Sequence, residues 1–356
     1  MITRAFHAWE HRLANRTTDR MVRPFEWGLD WLPADGPHAA RGAADPAQVV
    51  DAWVEMVMRN SEAFFTPCGD PAFEFEAADA AVRRTGEAGT LRFQSALPTP
   101  HAENNVVSAR WFPSRDEGRR GVRGRAVVVL PQWNSDAGGH VGLSRLLGRC
   151  GVSALRLSLP YHDVRMPPDL TRADYIVSSN VVRTVQVCRQ AVLDARRAVA
   201  WLAAQGFERI GILGTSLGSC LAMLTAAHEP LIRAQALNHV SPWFADVVWR
   251  GLSTRHVREG FEGHIDLERL RRLWGPISPW SHLDRTQERN VRTLLVYAKY
   301  DLTFPLDLSR TLVDEFARRG IAHEVAVLPC GHYSTGHAPF KFLDGYVLTR
   351  FLRRSL

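Results

Sequence analysis

The sequence predicts an α/β fold in which helices flank a mostly parallel central sheet. From residue 126 onward, short apolar segments alternate with longer segments whose apolar residues recur at helical spacing. One apolar segment leads through the small-residue turn Gly214–Gly218 directly into a helix pattern. Strand–helix alternation of this kind places the strands side by side in parallel, with helices packed on both faces of the sheet.

The predicted elements follow one another in a regular order. The strands are short runs rich in apolar residues, at 91–97, 105–113, 126–130, 153–159, 209–214, 233–240, 292–300 and 323–329. The helices of this part have apolar residues at a period of about 3.6, at 142–150, 181–206, 217–229, 306–320 and 339–354. The run AVVVL at 126–130 has no polar residue, which is typical of a parallel strand covered on both faces.

Two segments outside this alternation set the predicted domain organisation. Residues 1–85 are predicted to form a helical and irregular N-terminal extension, with a helix pattern at 47–60. The extension either packs on the main domain or forms an aromatic-rich element that covers a pocket or contacts a membrane. Residues 86–356 are predicted to form the main domain. Within it, residues 241–290 are too long for a plain connection and are predicted to form a helical lid or cap.

The chemistry is predicted to centre on a G-x-S-x-G pentapeptide, Gly214-Thr215-Ser216-Leu217-Gly218, between a strand and a helix. A sharp turn at this point strains the backbone of the serine and lifts its hydroxyl clear of the sheet. Small residues on both sides let the strand and the helix approach closely. Ser216 is therefore the predicted nucleophile, because an ordinary turn with a capping serine explains less of this context.

A serine hydroxyl needs a base that accepts its proton, and the base needs an acid that orients it. Asp301 and His332 each follow a predicted strand, and open α/β sheets build their sites at the edge where the strands end. We therefore predict Asp301 as the acid and His332 as the base. The alternatives are Asp307, which falls in the following helix, and His337. Three further histidines follow strands and are expected to be structural or to line a pocket: His140, His162 and His239.

These motifs resemble those of the α/β-hydrolase superfamily, in the elbow GTSLG, the acid segment YAKYDLTFP and the histidine segment CGHYSTG. The resemblance covers about residues 90–356, and the long extension and the LPQWN stretch are similar to a bacterial branch of hydrolase domain proteins. It implies the α/β-hydrolase fold with a helical lid insertion and an oxyanion hole of backbone N–H groups. One donor is expected at Leu217, directly after the nucleophile. Many relatives carry His-Gly after the early strand, where the next backbone N–H is the second donor, and this chain has PQWN there. Because a backbone N–H needs no particular side chain, the second donor is expected at Trp133, with Gln132 as the alternative.

The resulting prediction is a serine hydrolase that cleaves an ester through a Ser-His-Asp triad and an acyl-enzyme. No cofactor and no metal are expected. The substrate is expected to be a small molecule or an acyl ester, bound by Gln132, Trp243, Phe244 and His337. Two alternatives stay open on the sequence: an acyltransferase that uses the same triad, and a ligand-binding protein on a hydrolase scaffold.

The composition, with 46% hydrophobic and 23% charged residues, is that of an ordinary globular protein. The net charge of +7 comes almost entirely from arginine. Nucleic-acid binding is not expected, since the tightest arginine cluster surrounds glycines before a strand, as in a solvated loop: Arg115, Arg119, Arg120, Arg123 and Arg125. Peripheral membrane contact and the oligomeric state stay open. Five scattered cysteines favour neither a zinc site nor a disulfide framework, and without a long apolar run we expect a cytoplasmic protein.

Overall fold

The computed structural model describes residues 1–33, 45–115 and 124–356. Arg119, Arg120 and Arg123 of the arginine cluster therefore lie outside the described residues. Within the described ranges, one sheet contains nine strands: β1 (Phe73–Ala77), β2 (Gly89–Gln94), β3 (Val106–Phe112), β4 (Arg125–Leu130), β5 (Val152–Leu157), β6 (Arg209–Thr215), β7 (Ile232–Asn238), β8 (Arg292–Ala298) and β9 (His323–Leu328).

The strands lie in the order β1-β2-β3-β5-β4-β6-β7-β8-β9. The pairs from β1 through β3 to β5 are antiparallel, and all pairs from β5 to β9 are parallel. The mostly parallel central sheet predicted from the sequence is confirmed. The antiparallel edge includes β1, which has no predicted counterpart and belongs to the N-terminal 85 residues. The division of the chain at residue 85 stays a prediction.

Helices cover both faces of the sheet. In the described residues they are α1 (Ile2–Ala14), α2 (Pro46–Arg59), α3 (Ser61–Phe64), α4 (Ala80–Arg84), α5 (Val141–Arg149), α6 (Val181–Ala204), α7 (Leu217–His228), α8 (Phe244–Arg250), α9 (Arg255–Phe261), α10 (Leu267–Leu273), α11 (Leu283–Arg289), α12 (Leu306–Arg318) and α13 (Phe340–Ser355). The flanking helices of the predicted α/β fold are thus confirmed. Among the helices described, none combines the length and the apolar character needed to cross a bilayer.

Two apolar clusters form the core, one on each face of the sheet. Neighbouring residues of β4 point to opposite faces, so Val128 packs with α6 and α7, whereas Val129 packs with α5 and α13. Every residue of α7 is buried, as expected of a helix that is apolar on all sides. Because α7 begins directly after β6 ends, this burial fixes the turn between them.

Residues 241–290, the predicted lid, contain α8 to α11. They belong to the larger apolar cluster, in which Phe261 and Trp274 are fully buried. The Trp274 indole N–H donates to the carbonyl oxygen of Val181 over 3.2 Å, which ties the segment to the start of α6. The segment is therefore packed into the main core. Its opening as a lid stays a prediction.

Candidate active site

The turn between β6 and α7 holds Ser216 in a strained backbone conformation. Its φ is 56° and its ψ is −120°, a combination that residues other than glycine rarely adopt. The Ser216 N–H donates to the carbonyl oxygen of Asn238 over 2.8 Å, which ties the turn to β7. The flanking glycines leave no space for a side chain. A Cβ atom on Gly214 would lie 2.0 Å from the Gly218 oxygen, and one on Gly218 would lie 2.3 Å from the Leu130 oxygen.

The structure brings the three predicted catalytic side chains together at the carboxyl ends of β6, β8 and β9. His332 Nε2 lies 3.1 Å from Ser216 Oγ, and His332 Nδ1 lies 3.0 Å from Asp301 Oδ2. Ser216 and Asp301 are each 6% exposed. The alternative acid, Asp307, lies in α12 and pairs with Arg250 over 2.8 Å. A continuous hydrogen-bonded chain therefore runs from the serine hydroxyl to the Asp301 carboxylate.

Asp301 accepts hydrogen bonds at both carboxylate oxygens. Oδ1 accepts the backbone N–H groups of Thr303 and Phe304, over 2.8 and 2.7 Å. Oδ2 bonds to the Nδ1 atoms of both His332 and His239, the latter over 2.8 Å. Burial by itself raises the pKa of the Asp301 carboxyl, but the His332 charge, the hydrogen bonds from His239 and His332, and the His239 charge hold that pKa below its ordinary value. An ionised carboxylate only accepts, so both imidazole Nδ1 atoms carry a proton.

His239 contacts two of the three predicted catalytic residues, Asp301 and His332, but was not itself predicted to be catalytic. It follows β7 with a φ of 56°, and its ring centroid lies 4.6 Å from that of His332. Burial lowers the pKa of His239, so the ring is neutral at neutral pH. The sequence carries one signal for this residue, because it follows a strand as Asp301 and His332 do.

The first helix of the N-terminal extension supports the loop that carries His332. The Glu10 side chain is fully buried in α1 and accepts the backbone N–H groups of Tyr333 and Ser334, over 2.8 and 2.9 Å. Burial lowers the pKa of His332, but the Asp301 charge and hydrogen bond, together with the Glu10 charge, raise it above its ordinary value. The extension therefore contributes a buried carboxylate to the surroundings of His332.

Both predicted oxyanion-hole residues line the same cavity as Ser216. Leu217 is the first residue of α7, so its N–H has no acceptor within the helix. The Trp133 indole N–H donates to the Ala173 oxygen over 2.9 Å, and the next backbone N–H, that of Asn134, donates to His162 Nε2 over 3.0 Å. Burial lowers the pKa of His162 to about 4, so its neutral ring can accept this bond. These contacts hold the loop that carries the Trp133 N–H.

The cavity has a volume of about 1060 Å³ and two chemically different walls. The wall formed by α7, α8 and the loop before α6 is apolar: Val177, Leu217, Cys220, Phe244, Val247 and Val248. At the ends of β6 and β7, next to α5 and α13, four polar residues line the cavity beside the apolar Leu143, Leu146 and Phe342 of these helices: His140, Thr215, Asn238 and Asp344. The size suits a small-molecule ligand, for which pockets typically enclose roughly 300–1,000 Å³.

The four predicted substrate-binding residues do not share one position. Gln132 and Phe244 line the cavity. Trp243 stacks on Trp280 with ring centroids 5.0 Å apart and does not line it. His337 is exposed, packs against Trp9 at a centroid distance of 5.6 Å and also lies outside the cavity wall. The directions of these two side chains depend on tertiary contacts that their sequence neighbours do not reveal.

Solved structures share this architecture. An acetyl xylan esterase from a Paenibacillus species superposes with a TM-score of 0.64 at 14% identity, covering 85% of this chain and 94% of the esterase. The acetyl xylan esterase of a Thermoanaerobacterium species gives a TM-score of 0.60 at 14% identity, with 85% and 93% covered. The fold is that of the α/β-hydrolases. An acylaminoacyl peptidase from Pyrococcus horikoshii also matches, with a TM-score of 0.56 at 13% identity over 81% of this chain.

The α/β-hydrolase fold predicted by resemblance is thereby confirmed, and at these identities the likeness concerns the fold alone. The chain spans 42% of the length of the Pyrococcus horikoshii peptidase. No protein-family model and no curated protein matches the sequence.

The same part of this α/β-hydrolase fold has one geometric alternative, a metal site. His239, Asp301 and His332 each offer a ligand atom, and these atoms lie within 4.8 Å of one another. In the structure, however, both Nδ1 atoms bond to the carboxylate and His332 Nε2 bonds to the serine. The arrangement of these hydrogen bonds suits proton transfer from a hydroxyl to an imidazole.

Proposed function

We propose that the protein is a serine hydrolase that cleaves carboxylic esters through an acyl-enzyme on Ser216. The observation that carries the proposal is the hydrogen-bonded chain from Ser216 Oγ through the imidazole of His332 to Asp301. The α/β-hydrolase fold supports it at the level of the hydrolase class. The names of the esterases among the structural neighbours favour an ester as the substrate.

In the first half of the reaction, Ser216 Oγ attacks the acyl carbonyl carbon while His332 Nε2 accepts the hydroxyl proton. The ionised carboxylate of Asp301 keeps the proton on Nδ1 and stabilises the imidazolium that forms. The His332 charge and the hydrogen bonds from His239 and His332 keep that carboxylate ionised, and the bonds from Thr303 and Phe304 hold it in place. The alcohol then leaves with the proton from Nε2, and water releases the acyl group by the same route.

The negative charge of the tetrahedral intermediate needs donors that are in place before the reaction. We assign this role to the backbone N–H groups of Leu217 and Trp133. A donor of this kind typically contributes about 3 kcal/mol of transition-state stabilisation. The hydrogen bonds that hold the loop on either side of Trp133 support the assignment, because they keep the loop in one position.

The acyl group of the substrate belongs, in this proposal, in the apolar part of the cavity. Phe244, Val247 and Val248 come from α8, the first helix of the predicted lid, and Leu217 and Cys220 come from α7. Transfer of an acyl chain from water to this wall is favourable by about 0.8 kcal/mol for each buried CH₂ group. The segment 241–290 thus supplies one part of the wall that contacts the acyl chain, and α7 supplies another.

The test measures hydrolysis of p-nitrophenyl esters of increasing acyl length by wild-type protein and by Ser216→Ala. We expect turnover in the wild type and its loss in the variant, and the preferred chain length measures the apolar wall. Labelling by a fluorophosphonate should disappear in Ser216→Ala and persist in Ser253→Ala, which removes a different hydroxyl that lines the cavity. Turnover that survives in Ser216→Ala would overturn the nucleophile. Absence of both turnover and labelling in the wild type would favour a ligand-binding protein.

A further inference from the structure

The polar wall of the cavity is a connected set of side chains. Thr215 and Asn238 are register partners at the ends of β6 and β7. His140 Nε2 bonds to Thr215 Oγ1 over 2.9 Å, and Asn238 Nδ2 donates to Asp344 Oδ2 over 3.1 Å. We call His140, Thr215, Asn238 and Asp344 the polar wall. They join the N-terminus of α5 to α13 across the edge of the sheet.

Three buried atoms of the polar wall have no hydrogen-bond partner among the described residues: His140 Nδ1, Asn238 Oδ1 and Asp344 Oδ1. Asn238 is only 1% exposed, and the residue is among those that line the cavity. A buried polar atom without a partner is unfavourable, and most such atoms in native proteins are hydrogen-bonded. A ligand that bonds to these atoms would remove that penalty. Three such atoms on one wall point to a polar ligand.

The charges of the polar wall restrict the chemistry of this ligand. Burial lowers the pKa of His140 to about 4, so the ring is neutral at neutral pH. Burial raises the pKa of Asp344 to about 7, so the carboxyl is only partly ionised there. Asn238 Oδ1 can only accept, so it cannot bond to a carboxylate or a phosphate oxygen, which also only accepts. Arg20, Arg149, Arg172 and Lys341 also line the cavity but are not part of the polar wall. An ammonium group would find no fully charged partner. A hydroxyl group both donates and accepts, so it suits all three atoms.

The polar wall adjoins the nucleophile. Thr215 directly precedes Ser216, and the Asn238 carbonyl oxygen accepts the Ser216 N–H over 2.8 Å. Phe244 and Val247 of the apolar wall belong to the core cluster on one face of the sheet. The helices α5 and α13, next to the polar wall, pack in the cluster on the opposite face. An ester attacked by Ser216 therefore has an apolar surface available for its acyl chain and a polar surface available for its alcohol.

We propose that the polar wall binds the alcohol part of the ester and that this alcohol carries free hydroxyl groups, as a polyol or a sugar does. The inference rests on the proposed hydrolase function and specifies its substrate class. In the step concerned, the Ser216 Oγ–acyl bond forms and the ester C–O bond breaks. The alcohol takes the proton from His332 Nε2 and leaves along the polar wall.

The test compares matched pairs of butyrate esters by titrating the butyric acid released. One pair is 1-monobutyrylglycerol and propyl butyrate; the other is 6-O-butyrylglucose and cyclohexylmethyl butyrate. Sites built to hydrogen-bond a hydroxyl discriminate against the analogue without it by factors that reach about 10⁴. We expect kcat/KM of the wild type to favour the hydroxylated member of at least one pair by about tenfold or more.

Two variants assign this preference to the wall. Asn238→Leu keeps the approximate volume of the side chain and removes its carbonyl oxygen, and Asp344→Ala changes a half-buried helix position that is easier to substitute. We expect each variant to lower the selectivity ratio by about tenfold. Equal losses on both members of a pair would mean a merely structural role and would overturn the inference.

The wild-type data separate the two proposals. Suppose that the unhydroxylated esters are turned over and that, in both pairs, kcat/KM of the hydroxylated ester divided by that of its partner is near or below one. This result would refute the polyol inference and leave the esterase proposal intact. Absence of turnover on all four esters and on the p-nitrophenyl esters would overturn both.

Discussion

The buried carboxylate of Glu10 provides a sharp test of how the N-terminal extension supports the site. Glu10 is fully buried in α1 and accepts the N–H groups of Tyr333 and Ser334, the two residues directly after His332. A Cβ atom on Gly331 would lie only 2.4 Å from Glu10 Cδ, so the loop and the carboxylate fit closely. Glu10→Ala removes both acceptors, whereas Glu10→Gln keeps one acceptor oxygen and removes the charge.

The expected losses follow from these two hydrogen bonds. Bonds to a charged group contribute about 1.5–3 kcal/mol each, so Glu10→Ala should lower the free energy of unfolding by about 4 kcal/mol and Glu10→Gln by about 2 kcal/mol. A displacement of about 1 Å of a reacting group can lower a rate about 10²-fold. We therefore expect kcat/KM for p-nitrophenyl butyrate to fall about 10- to 100-fold in Glu10→Ala, mostly through kcat.

The pH profile separates positioning from general destabilisation. The Glu10 charge is one of the causes that raise the pKa of His332. Glu10→Gln removes this charge, so His332 should lose its proton at lower pH, and the acid limb of kcat/KM should move to lower pH. The control is His11→Gln, at an exposed neighbouring position of α1. If Glu10→Gln matches His11→Gln in urea unfolding, kcat/KM and pH profile, the carboxylate does not hold the loop.

Three further predictions concern single groups of the site. The raised pKa of His332 means that the neutral base forms only above its ordinary pKa of 6.5, so kcat/KM should rise with pH through an apparent pKa above that value. His239→Leu removes one hydrogen-bond donor to Asp301 and should lower kcat about tenfold. His239→Asn should recover part of this loss, because asparagine can still donate and tolerates a positive φ. Equal kcat values in both variants would count against a role of His239 as a donor to Asp301. The pKa of His162 is lowered to about 4 in the folded protein, so the stability that the neutral ring contributes is complete above pH 6.5 and is lost as the pH falls towards 4. The midpoint of urea unfolding, measured between pH 7 and pH 4, should fall accordingly. The fall should be smaller in His162→Gln.

The fold could be predicted because its signals are local. Continuous apolar runs such as 126–130 and the helix pattern at 181–206 indicate buried elements without knowledge of their partners. The positions of Ser216, Asp301 and His332 were predictable for a related reason, since each follows a strand and parallel strands end at one edge. The structure places all three within one hydrogen-bonded chain.

The sequence does not reveal the positions of side chains that depend on contacts with distant parts of the chain. Glu10 bonds to residues more than three hundred positions away in the chain, and nothing near it in sequence indicates a buried carboxylate. His337 lies close to His332 in sequence, but its ring packs on Trp9 outside the cavity. The strand β1 did carry a signal, because Phe73 and Phe75 alternate with glutamates at the strand period of two.

The arginine content shows why composition alone says little about partners. Arg156 and Arg165 are fully buried and pair with Asp163 and Asp194, over 2.6 and 2.9 Å. Arg156 also donates to the backbone oxygens of Asp136 and Gly139, over 2.7 and 3.1 Å.

Gly139 lines the cavity, so the Arg156 guanidinium fixes part of the cavity wall from inside the protein. A buried ion pair adds little net stability, but removal of one partner leaves an uncompensated charge and is strongly destabilising. The structural role of Arg156 is therefore to hold the loop at Asp136 and Gly139. Arg156 and Arg165 add to the arginine content of the sequence without adding charge to the surface that a partner would meet.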